Sequence, residues 1–144
     1  MALDPKIWGP HYWFVMHTIV LNYPMHPNDT SKKKYYDFIQ NLSIFLPISN
    51  MGNLFSKLLD IYPVTPYLDS RESMIKWMHF IHNKVNLSLG IPEKSMHDSL
   101  QEYYKLYEPK EITIKNDIMK REKYIYIGLM VSLLVISIYL YRKN

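Results

Sequence analysis

Eighteen consecutive residues, Tyr124 to Tyr141 (YIYIGLMVSLLVISIYLY), carry no charge. As a helix rising about 1.5 Å per residue they span roughly 27 Å, close to the hydrocarbon thickness of a bilayer. Lys120, Arg121 and Lys123 precede the run, and Arg142 and Lys143 follow it. Tyr124, Tyr126, Tyr139 and Tyr141 stand at its two ends, where amphipathic rings favour the headgroup level. The competing reading is a buried core helix, but core helices are seldom this long and this uniformly apolar. The pattern predicts a single-pass, C-terminal transmembrane helix over 124–141 with a short basic tail at 142–144. Positive charge on both flanks leaves orientation open. A tail anchor with the N-terminal domain on the cytosolic side is the default expectation.

The rest of the chain has room for one domain. Fifteen per cent aromatic residues and only four glycines are unlike a disordered chain. There is no cysteine, so disulfides, thiolate nucleophiles and cysteine metal sites are excluded. The opening MALDPKIWGP has no apolar h-region, so no secretory signal peptide is expected. Lys32, Lys33 and Lys34 form a tight basic run, which a solvated helix face explains better than nucleic-acid binding.

Helical periodicity dominates. A first helix is expected from about Pro10 to Asn22, stopped by Pro24 and Pro27. Asn28 or Thr30 can cap a second helix to about Leu46, with Tyr35, Phe38, Ile39, Leu42 and Phe45 on its apolar face. A third, starting near Pro47, carries Met51, Leu54, Phe55, Leu58, Leu59 and Tyr62. Asp69 and Glu72 fit a capping box for a long fourth helix. Its stripe is Met74, Trp77, Met78, Ile81, Val85 and Leu89, with a stop at Gly90-Ile91-Pro92. Ser95 can cap a fifth helix to about Tyr107. No stretch alternates with period two. The expectation is all-α: a four-helix bundle with a short fifth helix over 1–108, a polar stalk over 109–123, then the membrane helix.

Trp13, His17 and Val20 share one face of the first helix at i, i+4, i+7. That face suits a flat heteroaromatic ligand, and equally a core helix with a satisfied interior histidine. His79 and His82, at i, i+3 on the fourth helix, are a weak metal pair with no carboxylate placed to complete a tetrahedron, so no metal is expected. Tyr103, Tyr104 and Tyr107 are better read as a packing face than as a base-stacking platform.

Two long motifs in register carry a resemblance. Trp8-Gly9-Pro10 through Trp13, His17-Thr18 and Tyr23-Pro24 resembles the opening W-G-x-x-x-W-x-x-x-H-T-x-x-x-x-Y-P of the Erv/ALR family of FAD-linked sulfhydryl oxidases. Trp77 through His82-Asn83 to Val85-Asn86, with Leu89-Gly90 and Pro92, resembles the family's W-x-x-x-x-H-N-x-V-N and L-G-x-P. The resemblance implies a helical bundle holding FAD at its mouth, with Trp13, His17, Tyr23, Trp77, His82, Asn83 and Asn86 at FAD-lining positions. It also implies a homodimer made through helices. Small members of the family occur in large DNA viruses, several of them in virions.

The departures bear on activity. Where the family carries P-C-x-x-C-x-x-H-F, this chain reads Pro47-Ile48-Ser49-Asn50-Met51-Gly52-Asn53-Leu54-Phe55. Ile48 and Met51 stand at the two cysteine positions and Leu54 at the histidine. Ile91 replaces the lysine that the family aims at the FAD phosphates. Met96 and Tyr103 align with a further family cysteine and a late tryptophan. Thiol oxidation needs one thiolate to exchange with the substrate and a second thiol to resolve the mixed disulfide. Isoleucine has no nucleophile, and a methionine thioether cannot form a disulfide. Losing the Ile91 position as a charge-assisted phosphate contact removes about 1.5–3 kcal/mol, on the order of tenfold to a hundredfold in affinity. Trp13 and Trp77 still offer stacking surface, and Lys84 and Lys94 could still meet phosphates.

Three functions follow from these readings. The leading one is a redox-inactive, membrane-anchored binding or assembly module, with a lipid bilayer and other proteins of an assembly as partners. A minor capsid or inner-membrane component of a virion fits it. The second is a flavin-dependent activity without cysteines. The third is a sulfhydryl oxidase that acts with a partner's cysteines.

Overall fold

The computed structural model describes residues 3–143. The chain divides into two compact units, Met1–Tyr103 and Tyr104–Asn144. Among the described residues every regular element is helical: α1 (Pro5–Leu21), α2 (Asp29–Asn41), α3 (Ser49–Ile61), α4 (Arg71–Ser88), α5 (Met96–Lys105) and α6 (Lys110–Lys143). Short 3₁₀ turns lie at Leu42–Phe45 and Thr65–Tyr67.

α1 starts five residues before the position expected at Pro10. The Asp4 carboxylate accepts from the Lys6 amide at 2.9 Å and caps the helix, and Pro5 fills the first position, where no amide is needed. Pro10 then sits inside the helix. The carbonyl it leaves unmatched belongs to Lys6, an exposed residue that solvent can satisfy.

α2 is capped by Asn28, whose side chain accepts from the Ser31 amide at 2.8 Å. It ends at Asn41 rather than Leu46, because the chain tightens into the 3₁₀ turn. Tightening rotates the following side chains. Ile39 and Leu42 are buried as expected, but Phe45 points outward at 66% exposure and Phe38 is 37% exposed. α3 presses against this turn. A Cβ on Gly52 would lie 2.5 Å from the Ser43 carbonyl oxygen, so only glycine permits the approach.

The fourth helix is capped by Ser70, not by Asp69: Ser70 Oγ accepts from the Ser73 amide at 3.2 Å. Asp69 is drawn away to Lys32, 2.6 Å from it. Met74, Trp77, Met78, Ile81 and Val85 are all buried, as the stripe predicted. Leu89 is not: it is the C-cap residue and 47% exposed. Gly90 adopts φ 73°, the Gly90 amide donates to Leu87 O at 3.1 Å, and the Ile91 amide donates to Asn86 O at 2.9 Å. That is a Schellman stop, which requires the left-handed residue that glycine supplies.

The core of the first unit joins Met16 and Val20 of α1, Ile39 and Leu42, Phe55, Leu58 and Leu59 of α3, and the α4 stripe. Its two polar aromatics are satisfied. Tyr23 OH donates to Leu68 O at 2.7 Å, and Trp77 Nε1 donates to Tyr62 O at 3.1 Å. Arg71 Nε donates to the Tyr23 carbonyl, tying the α1 exit to the start of α4. α5, capped by Ser95 on the Asp98 amide at 3.0 Å, ends at Lys105, two residues before the expected Tyr107. Its Tyr103 stacks on Phe14, with ring centroids 5.4 Å apart, and its hydroxyl lies 2.8 Å from Thr18 Oγ1.

In the second unit, α6 is one continuous helix. Ile114–Lys143 is long and apolar enough to cross a membrane by length and composition, and none of its apolar window is buried.

Two glycines on helices test this packing. Gly52→Ala is expected to destabilise the chain by about 1–3 kcal/mol through overpacking. Gly9→Ala, with no atom within 4 Å of the new Cβ, is expected to stabilise it by about 0.5–1 kcal/mol through helix propensity. Denaturant unfolding of the full-length chain in mild detergent checks both signs.

Candidate functional site

α1 and α4 carry the residues that share one seam. Trp13 and His17, one turn apart on α1, meet His82 of α4. The Trp13 and His82 rings stack with centroids 3.8 Å apart and planes 12° from parallel. His17 Nε2 lies 3.0 Å from His82 Nδ1, so a single proton sits between the two nitrogens and one ring donates to the other. Such a bond needs the accepting ring neutral, and here both rings are. Burial provides that. It lowers the His17 pKa to about 4, with His79 a smaller cause. It lowers His82 to about 3, with His17, His79 and Lys94 adding repulsion of the charged form.

His79 and Asn83 extend the seam. Asn83 Oδ1 accepts from the Lys94 amide at 3.1 Å and its Nδ2 donates to the Lys94 carbonyl at 2.9 Å. That pair fixes which end of the amide is nitrogen. Nδ2 therefore also donates to His79 Nε2, 3.2 Å away, and the His79 proton must reside on Nδ1. Buried Nδ1 finds no partner in hydrogen-bonding geometry. Burial lowers the His79 pKa as well, opposed by the Lys94 carbonyl and by Glu93.

Beside the seam lies an apolar cleft of about 460 Å³, counting its open mouth. Trp8, Trp13 and Met16 of α1 form one wall, and Leu46, Met51 and Leu89 are among the residues facing them. Trp8 packs edge-on against Tyr12 at 5.2 Å. Its indole Nε1 is buried and has no hydrogen-bond partner. Tyr12 OH donates to Phe45 O at 3.0 Å and holds α1 to the 3₁₀ turn.

The seven positions named from the sequence thus divide. The structure brings Trp13, His17, His82 and Asn83 together along the α1–α4 seam. Asn86 is nearly buried further along α4. Tyr23 and Trp77 lie in the core, at 0% and 1% exposure, with their polar atoms spent on backbone carbonyls. Trp8 was not among the named positions, although Trp8, Tyr12 and Met16 at i, i+4, i+8 were the signal for a second aromatic face. His79 was weighed only as a metal ligand, and among the described residues no group of three or more metal-ligating side chains is placed to hold an ion.

Ile48 and Met51 occupy the start of α3. Ile48 is the N-cap residue, and its carbonyl accepts from the Met51 amide at 2.9 Å and the Gly52 amide at 3.1 Å. A helix N-terminus is where a thiol would be held as thiolate. Here both side chains are half-buried, and Met51 packs against the core and lines the cleft.

A bundle of this order, with an aromatic-histidine seam between its first and fourth helices, has known counterparts. The Erv1/Alr family model matches residues 10–105, and the chain belongs to that family. A probable FAD-linked sulfhydryl oxidase of Acanthamoeba polyphaga mimivirus is 31% identical over 110 residues, covering 76% of this chain and 77% of the relative. A relative from Invertebrate iridescent virus 3, assigned provisionally to the same activity, is 25% identical over 103 residues, covering 72% and 70%. The FAD-binding domain of Erv1 from Saccharomyces cerevisiae superposes with a TM-score of 0.61 at 28% identity, covering 66% of this chain and 89% of that one.

For the flavin named with these relatives, the cleft offers indole walls from Trp8 and Trp13. The positions that the sequence resemblance assigns to its phosphates offer little. Ile91 offers no charge, Lys84 Nζ is 3.3 Å from Glu93, and Lys94 Nζ is 2.6 Å from Glu102.

The histidine pair sets a pH dependence. Unfolded histidines, at about 6.5, bind protons that folded His17 and His82 refuse until about pH 4 and 3. The stability they support is therefore present above pH 6.5 and falls as pH drops through the window from 6.5 toward 3. Replacing both by glutamine is expected to flatten that part of the profile, read as denaturation midpoints at several pH values.

Proposed function

We propose that this chain is a redox-inactive member of the sulfhydryl-oxidase family, kept as a membrane-anchored binding or assembly module. The observation that carries the reading is the absence of any cysteine. At the two positions where the relatives' chemistry needs sulfur nucleophiles stand a hydrocarbon, Ile48, and a thioether, Met51, which packs against the core at the start of α3. Neither side chain can exchange with a disulfide or pass electrons from a thiol.

The module divides into a bundle over 1–108, a stalk over 109–123 and an anchor over 124–141. The unburied, charge-free run from Tyr124 to Tyr141 in α6 supports the anchor. Its partners are a lipid bilayer and neighbouring proteins of an assembly. The viral relatives favour a virion or viral inner membrane as the location. A homodimer through the bundle helices accompanies this reading.

Oxygen uptake with dithiothreitol and excess FAD tests the catalytic half. No turnover above buffer is expected; turnover that depends on bound flavin would return the chain to the oxidases. Alkaline carbonate extraction tests the other half. The full chain is expected to stay with the membrane pellet, and a chain ending at Lys123 to move to the supernatant.

A second reading, a retained flavin, is favoured by one observation: the cleft beside the seam is walled by the indoles of Trp8 and Trp13.

A further inference from the structure

We infer that the start of the apolar run in α6 is a binding site for anionic phospholipid, with Lys120, Arg121, Lys123 and the Tyr124 phenol on the headgroup phosphate. The inference rests on the anchor half of the proposed function, since only a helix that enters a bilayer meets that lipid.

Three observations lead there. First, the cations gather where the polar part of α6 meets its apolar part. Lys120, Arg121 and Lys123 come just before the charge-free run that begins at Tyr124. At about 1.5 Å per residue, Lys120 to Tyr124 occupies about 6 Å of helix axis. In a bilayer that level is the headgroup region, where lipid phosphates lie.

Second, these residues share one side of the helix. At about 100° per residue, Lys123, Lys120, Tyr124 and Arg121 follow one another around an arc of about 160°. Glu122, the acid among them in sequence, falls opposite the middle of that arc. All four residues of the arc are exposed, Tyr124 at 72%. A guanidinium fork, two ammonium groups and a phenol hydroxyl are donors that phosphate oxygens accept from.

Third, the cations are unspent. The five ion pairs among the described residues all lie in the first unit, where they engage Lys32, Lys33, Lys76, Lys84 and Lys94. Lys120, Arg121 and Lys123 enter none of them. Asp117 stands four residues before Arg121, a spacing at which helix pairs form, and is not paired with it. A basic face without an intramolecular acid, at headgroup depth, is complementary in charge to an anionic lipid.

The test reconstitutes the full-length chain in phosphatidylcholine vesicles with a trace of lipid spin-labelled on its acyl chain, either phosphatidylglycerol or phosphatidylcholine. The readout is the motionally restricted share of each label in the electron spin resonance spectrum. One lysine or arginine at a bilayer surface is worth roughly fivefold in attraction to anionic lipid, and salt screening trims that. At physiological salt, phosphatidylglycerol is therefore expected to be restricted in about three- to tenfold preference to phosphatidylcholine. Lys120→Gln, Arg121→Gln and Lys123→Gln together are expected to bring the preference below about twofold, while Arg142→Gln with Lys143→Gln leaves most of it in place. Equal restriction of the two labels by the wild-type chain, or a preference that survives the triple variant, would overturn the inference. Should the triple variant fail to insert, wild-type vesicles at about 1 M salt read the same attraction. The preference is expected to fall below about twofold there, and one that holds counts against the site. Restriction of neither label would sink the anchor and this inference with it, whereas equal restriction sinks the inference and leaves the anchor standing.

Discussion

The first unit depends on one hydrogen bond between two neutral imidazoles. His17 and His82 join α1 to α4 in a partly buried seam where an unpaired charge is costly. Each ring satisfies the other, and Trp13 covers His82 with a nearly parallel indole. Water is not needed there, and burial in turn keeps the pair uncharged. Seam and protonation state thus support each other, and the rest of the α1–α4 contact is built outward from them through Met16, Val20, Met78 and Ile81.

The same economy governs the other polar groups. Tyr23 OH and Trp77 N–H are turned onto the carbonyls of Leu68 and Tyr62, just ahead of α4 and just past α3. Arg71 closes the loop by donating to the Tyr23 carbonyl. What stands out against this background is Trp8, whose N–H finds nothing, and His79 Nδ1, which finds nothing either.

At the start of α3 the chain departs from the cysteine motif of its family. The helix N-terminus that would lower a thiol's pKa is intact, and Gly52 still allows α3 to press on the Ser43 carbonyl. Within that motif Ile48, Met51 and Leu54 differ from the family pattern. Met51 packs against the core and Ile48 is half-buried. A scaffold in that condition offers shape, a cleft and an apolar C-terminal helix.

Much of this was legible in one dimension. Hydrophobic period and caps placed all of the bundle helices. The α4 stripe from Met74 to Val85 was buried as its spacing required, because a 3.6-residue repeat leaves few other faces to bury. The absence of cysteine, the charge-free run at 124–141 and the two motifs were properties of the string itself. What the string could not settle were choices between local partners of similar merit. Asp69 or Ser70 could each have capped α4, and the winner depended on Lys32, a residue 37 positions away that took Asp69. Pro10 could have begun α1, but Asp4 and Pro5 began it sooner. Phe45 turned outward because α2 tightened into 3₁₀ geometry. The pairing of His17 with His82, 65 residues apart, and the stranding of the Trp8 N–H beside a cleft belong wholly to the tertiary structure. Which donor meets which acceptor is decided by helices packing side by side, and sequence spacing along any one of them is silent about that.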